Sequence, residues 1–417
     1  MTFKEVQLQD ILDIQWGDTK TTKASYVSDG YLAYSATGPD GFLEKFDYDK
    51  EGIVLSAIGA NCGSTFFASG KWSCIKNTIR IFPKNEDIDL KYFFYMTKAP
   101  DFWPIRGSAQ PFISQTDIRE LYVQIPEIKI QKKIGEFLFA LEEKISANTA
   151  ISRTLEDIAQ TIFKSWFIDF DPVKAKMAGE RPVGMDDAVA SLLPSSMEDS
   201  ELGLIPKGWQ VGSLFDFGLE IEPGSRPKGG VKGISSGVPS IGAESINGLG
   251  VFDFSKTKFV PRDFYEKMNK GKPRDFDVLL YKDGGKPGEF KPRVGMYGLG
   301  FPFSEFAVNE HVFVLRAMEL GNPYLYFWIR LERTLDILRS RGIKAAIPGI
   351  NQQDVGTIPA LKPPQEILKA FNELVFPSIS KILTLATESL MLTTLREALM
   401  PRLISGELQI PEEMLVS

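Results

Sequence analysis

The sequence predicts a mixed α/β (α+β) chain: two similar globular heads separated by two long antiparallel coiled-coil helices, the halves related by an internal pseudo-two-fold duplication. Three observations predict it. The chain has 417 residues, more than one ordinary core accommodates. The stretch "ISQTDIRELYVQIP" (113–126) returns as "INQQDVGTIPALKPP" (350–364), with Ile113, Gln115, Asp117, Ile118 and Pro126 falling on Ile350, Gln352, Asp354, Val355 and Pro363 at a constant offset. Each copy then runs into a long segment of heptad periodicity. Weaker echoes lie upstream, where 52–66 resembles 277–290 and 3–11 resembles 209–217.

Residues 1–126 form the first head. "GIVLSAIG" and "TIRIF" are β-branched runs between glycine and aspartate turns and read as strands, whereas "LKYFFYMTKAPDFW" (90–103) reads as a short helix. Residues 127–168 read as one helix. Ile134, Leu138, Leu141, Ile145, Asn148, Ser152, Leu155, Ala159, Ile162 and Trp166 alternate by four and three, a coiled-coil seam. Prolines 172, 182, 194 and 206 forbid a continuous helix through 169–205, which reads as a connector. Residues 206–362 form the second head, and 363–404 the second helix, with Phe371, Val375, Ser378, Ile382, Leu385, Ser389, Leu392, Arg396, Leu399 and Leu403 on its seam. Pro377 removes one backbone hydrogen bond and is expected to kink that helix. Residues 405–417 are a tail.

Composition narrows the class. Cys62 and Cys74 are too few for a disulfide scaffold and, with the lone His311, give no metal-ligand spacing. No signal-peptide core opens the chain and no apolar run reads as membrane-spanning, so a cytoplasmic location is expected. A net charge of −6 weighs mildly against nucleic acid. The distribution weighs the other way, because residues 256–293 carry eleven Lys and Arg against six Asp and Glu.

The most specific motifs are "WFIDFDPVKAKMAGERP" (166–182), "DSELGLIPKGW" (199–209) and "LREALMPRLISGEL" (395–408), supported by "DVLLYKDGG" and "VNEHVFVLR". On these, and on the order head, helix, head, helix, the chain resembles the specificity subunit of a Type I restriction-modification system along essentially its whole length. The resemblance implies a DNA reader without catalysis of its own, each head being a target recognition domain for one half of a bipartite, asymmetric double-stranded target. It implies helices that set the spacing and dock two methyltransferase subunits, with restriction/translocase subunits joining them. No cofactor is expected in this chain, and S-adenosylmethionine, ATP and Mg²⁺ are expected on the partners. The repeated "ISQTDI" and "INQQDV" segments would then be joints between head and helix.

Other readings have weaker support. No "NPPY"-type motif and no Walker loop occurs, so a methyltransferase or P-loop motor has no anchor here. Asp277, Glu289 and Lys291 are spaced like a Mg²⁺-dependent nuclease site, but Pro287 and Pro292 flank the last two and make them loop residues. His311 opens an apolar strand and reads as a hydrogen-bonded, partly buried histidine. A stand-alone nuclease or modifying enzyme, and a coiled-coil scaffold with two protein-binding heads, are the alternatives.

DNA contacts are expected where glycine freedom meets hydrogen-bond donors, because arginine pairs with guanine, amides pair with adenine and lysine steadies phosphates. In the first head these are Lys20, Lys23, Asn61, Ser64, Lys71, Arg106, Ser108 and Gln110. In the second they are Arg226, Lys228, Lys232, Lys282, Lys286, Lys291, Arg293, Arg339, Arg341 and Lys344.

Overall fold

The computed structural model describes residues 2–343 and 348–411. The chain divides into two compact units, Met1–Ile145 with Met391–Ser417, and Ser146–Leu390. Each contains one body of strands and part of both long helices.

In the first unit, the strands Phe3–Gln7 and Tyr122–Pro126 pair antiparallel and bring the start and end of the head together. A four-stranded antiparallel sheet follows, in the order Leu12–Trp16, Thr78–Pro83, Gly52–Ser56, Thr65–Ala68. A second sheet sets Tyr31–Ser35 between Gly38–Leu43 and a parallel neighbour, Lys71–Cys74, with Tyr48–Asp49 at its edge. The second unit repeats this plan. Gln210–Ser213 pairs with Pro359–Lys362, and the sheet order is Leu219–Pro223, Val312–Ala317, Val278–Tyr281, Val294–Met296. Val238–Ile241 again lies between an antiparallel neighbour, Lys258–Val260, and a parallel one, Ala307–Val308. The duplication is therefore a duplication of strand order.

The repeated stretch has a local cause. Ser114 caps the short helix Gln115–Arg119 by accepting from the Asp117 amide. Asn351 caps Gln352–Gly356 with a full capping box to Asp354. On either side of each cap an apolar residue is buried: Ile113 and Ile118 in one unit, Ile350 and Val355 in the other. Gly356 lets the Phe215 ring pack against the backbone, since a Cβ there would lie 1.9 Å from the ring and displace it.

The long helices are Ile128–Phe167 and Gln365–Ile404, 40 residues each, about 60 Å at 1.5 Å per residue. Every predicted seam position in both is buried or half-buried. In the first unit, Ile134 and Leu138 share a core with Leu403, Leu399 packs on it, and Arg396 pairs with Glu142. In the second, Phe163, Trp166 and Phe167 pack against Phe371, with ring centroids 5.8, 6.1 and 4.9 Å apart, and Asn148 reaches Glu388. Residues early in one helix meet residues late in the other, so the pair is antiparallel.

Two expectations are corrected. The second helix runs on as helix through Pro377. It is also, by length and composition alone, apolar enough to cross a membrane; its apolar side has a different use, with Phe371, Val375, Ile379, Ile382 and Leu383 in the second core. Residues 169–205 are more than a connector. They hold the helices Asp171–Met177 and Asp187–Leu192 and the hairpin Met197–Ser200 with Gly203–Pro206, and they bury Phe170, Val173, Met185, Ala190, Leu193 and Ile205 in that core.

Candidate nucleic-acid interface

In the second unit, residues 282–293 form the loop between Val278–Tyr281 and Val294–Met296. Its base is pinned on both sides. The Lys282 amide donates to the His311 carbonyl at 2.8 Å, the Gly284 amide donates to the Pro348 carbonyl at 2.9 Å, and Lys282 O accepts from the Ile350 amide at 2.8 Å. Further along, the buried Phe290 ring stacks on Tyr281, 5.4 Å away and tilted by 19°. Between these anchors Gly284 and Gly285 adopt positive φ (124° and 112°), and the tip is exposed. Lys286, Lys291 and Arg293 line a cleft of about 270 Å³ with Glu244, Tyr281 and Glu289.

The charges of that cleft are partly self-balanced. Lys291 pairs with Glu289 at 2.6 Å, and Glu244 pairs with Lys258 at 2.7 Å. Burial pushes the Glu244 carboxyl up, but the bond and charge of Lys258 and a backbone hydrogen bond together outweigh it and hold the group below its ordinary value. Lys286 and Arg293 have no carboxylate partner among the described residues, and the Arg293 guanidinium reaches only the Ala243 carbonyl, at 3.4 Å. These two cations face solvent with unused donors.

The counterpart in the first unit is the turn 57–64, between Gly52–Ser56 and Thr65–Ala68. It is tied to a hairpin at 106–112: the Gly59 amide donates to Pro111 O at 2.9 Å, the Ile113 amide donates to Ala57 O at 2.9 Å, and Arg106 and Phe112 exchange both backbone bonds at 2.9 and 2.8 Å. The turn that carries Asn61 and Ser64 is thus tied to the hairpin that carries Ser108 and Gln110, and all four residues are exposed. The flanking Ile105 and Phe112 are 50% and 41% exposed. Ile105 leans over Gly63, where a Cβ would lie 3.0 Å from its Cδ1. Burial pushes the Cys62 thiol up, and that of Cys74 to about 12, so both stay protonated at neutral pH.

The remaining expected donors have other placements. Lys20 is exposed, whereas Lys23 pairs with Asp40 at 2.5 Å. Lys71 lies over Phe46, 4.9 Å from the ring centre. Arg106 is held by Asp117 at 2.5 Å. Arg226 pairs with Glu310 at 2.9 Å, and Lys282 with Asp283 at 3.3 Å. Lys228 and Lys232 are exposed on their own loop. Arg339 lies between Glu332 and Asp336 at 2.5 and 2.6 Å, and Arg341 turns inward to the Asp354 carbonyl and Thr357 hydroxyl, tying its helix to the capped turn. Lys344 lies outside the described residues.

The nuclease-like triplet is not assembled. Asp277 is 2% exposed, and both its oxygens accept from Arg316 Nε at 3.0 and 2.9 Å, while Glu289 is engaged by Lys291 at the loop. His311 bonds to Asp283 through Nδ1 and stays 46% exposed. The buried pair Arg316 and Asp277, with the half-buried Glu222, ties the edge strand Leu219–Pro223 to the interior of the second sheet, and Arg80 with Asp13, at 2.6 Å, ties the edge strand Leu12–Trp16 to Thr78–Pro83 in the first. None of these partners is near another in sequence, so periodicity gives no signal for them. Ile105 and Phe112 did have a signal: large apolar residues flanking a Gly-Ser turn.

Comparison with known proteins extends the picture. The profile of the Type I restriction modification DNA specificity domain matches residues 1–157. The MjaIX specificity subunit of Methanocaldococcus jannaschii, a Type I restriction enzyme component, is 26% identical over 97% of this chain and 93% of its own. The HindI specificity subunit of Haemophilus influenzae is 25% identical over 73% of this chain and 72% of its own. Among solved structures, the S subunit of a Type I restriction-modification system from M. genitalium superposes with a TM-score of 0.61, at 15% identity, over 97% of this chain and 96% of that one. That last likeness concerns the fold.

Proposed function

Because this chain belongs to the family of Type I restriction-modification specificity subunits, we propose that each of its two strand bodies reads one half of a bipartite DNA target. The chain is the DNA target-recognition component of such a system and not its catalytic one. The observation that carries the reading of two half-sites is the repeated strand order, which places a loop after the same strand in both units, at 57–64 and at 282–293. Two similar bodies with different loops suit two different half-sites.

The long helices are then the ruler, and the surface on which two methyltransferase subunits dock. S-adenosylmethionine belongs to those subunits, and ATP and Mg²⁺ to the restriction/translocase subunits that complete the assembly in the cytoplasm. The physical support is division of labour: seam residues stiffen the pair, while the exposed donors sit on loops of the heads. The test is methylation mapping. The full chain with its methyltransferase partner should modify a two-part asymmetric sequence, and the chain alone should modify nothing. Methylation at random positions by the complex would overturn the proposal.

A further inference from the structure

The two candidate reading loops differ in hydrogen-bond chemistry, and the geometry points to a target with one half-site read at A·T pairs, by the first unit, and the other read at guanine, by the second. This rests on the DNA-recognition reading above and specifies its substrate.

In the first unit the turn 57–64 and the hairpin 106–112 carry one cation, Arg106, exposed and bonded through one guanidinium nitrogen to Asp117. They also offer two amides, Asn61 and Gln110, both exposed and without side-chain hydrogen bonds among the described residues. An amide is both donor and acceptor, the pattern that matches adenine N7 and N6 in the major groove. Beside them stand Ile105 and Phe112, half-exposed apolar groups held in place by the backbone bonds of the hairpin. A surface like this matches the thymine methyl, the one apolar group that a base edge presents there.

In the second unit the equivalent loop has no amide at its tip. Lys286 and Arg293 carry donors only, and the carboxylates of the cleft are already engaged by Lys291 and Lys258. Guanine, with acceptors at N7 and O6, is the base edge that takes two donors and returns none. Tyr281, which lines the cleft, is backed by the buried Phe290 stacked on it, so the Arg293 guanidinium is presented beside a fixed wall.

The experiment uses the full chain in complex with its methyltransferase partner, as wild type, as the double variant Asn61→Ala, Gln110→Ala, and as Arg293→Ala. All three positions are exposed, so the variants keep the fold. Methylated sites are mapped in a random-sequence duplex pool. The double variant should lose about 5- to 150-fold of its preference at an A·T position in one half-site, with the other half intact. Arg293→Ala should lose a similar factor at a guanine in the other half. Uracil in place of thymine, in the first half only, should weaken wild-type binding by about 4-fold for each methyl contacted. Wild-type preference that survives both variants unchanged, or a guanine relaxed by the double variant, overturns this inference and leaves DNA recognition standing. A wild-type complex without sequence preference overturns both.

Discussion

The side-chain amide of Asn148, 1% exposed, donates to Glu388 at 3.0 Å and to Ser389 at 3.3 Å from one long helix to the other, while its carbonyl oxygen has no partner among the described residues. A buried polar contact inside an apolar seam fixes register at some loss of packing. Asn148→Asp would set a second carboxylate against Glu388. The variant should lose about 1–3 kcal/mol at pH 7. Sharing of one proton by the pair should restore part of that as the pH falls towards 5, and thermal unfolding at the two pH values reads the difference.

Lengthening the helices tests the ruler. Glu142 pairs with Arg396 and Asn148 with Glu388, so an insertion in one helix alone breaks register. Seven residues after Ser146 together with seven after Leu390 keep the heptad phase and add about 10 Å. Methylation mapping should then show a spacer longer by about three base pairs and unchanged half-sites. Altered half-sites with an unaltered spacer would exclude the helices as the ruler.

Lys286 is an exposed cation without a carboxylate partner among the described residues. If it meets a phosphate, Lys286→Ala weakens binding to every sequence alike and flattens the salt dependence by about 0.9 in the log–log slope. Binding of the complex titrated at several salt concentrations decides it. Loss confined to one base position would assign Lys286 to a base edge.

Lys23 is expected to matter for stability more than for DNA. Its partner Asp40 also accepts from Tyr26 at 2.7 Å, Ser35 at 2.8 Å and Thr37. Burial pushes the Asp40 carboxyl up, but the bonds from Lys23 and these hydroxyls outweigh it and hold the group far below its ordinary value. A depressed folded pKa stabilises at pH values above the unfolded pKa, about 3.9, and that contribution is lost as pH falls through the folded value. Asp40→Asn should therefore cost roughly 1 kcal/mol at pH 7, a difference that begins to shrink only below about pH 4 and disappears as pH falls through the depressed folded value. Unfolding curves across that range provide the check.

The helices were legible because the seam is periodic: Leu138, Ala159, Phe371 and Val375 recur at spacings that one helical face demands. The joints were legible because a cap needs particular residues at Ser114 and Asn351. The ion pairs were not, since Arg316 finds Asp277 39 residues away and Glu222 94 away, separations that no local pattern encodes. For the loops, glycines and donors marked the place. Which donors are spoken for depends on folding, as Arg339 and Arg341 demonstrate.

Each strand body is closed at its neck, Phe3–Gln7 against Tyr122–Pro126 and Gln210–Ser213 against Pro359–Lys362. A chain segment whose entry and exit are clamped together transmits little of its internal change to what lies outside, and the entropy of closing it varies only slowly with its length. The sequence between the clamps is thus free to drift, or to be replaced wholesale by recombination within the strand codons, while the helices keep their register. A pair of crossovers, one in each clamping strand, would give the organism a new DNA address and leave the rest of the assembly unaltered.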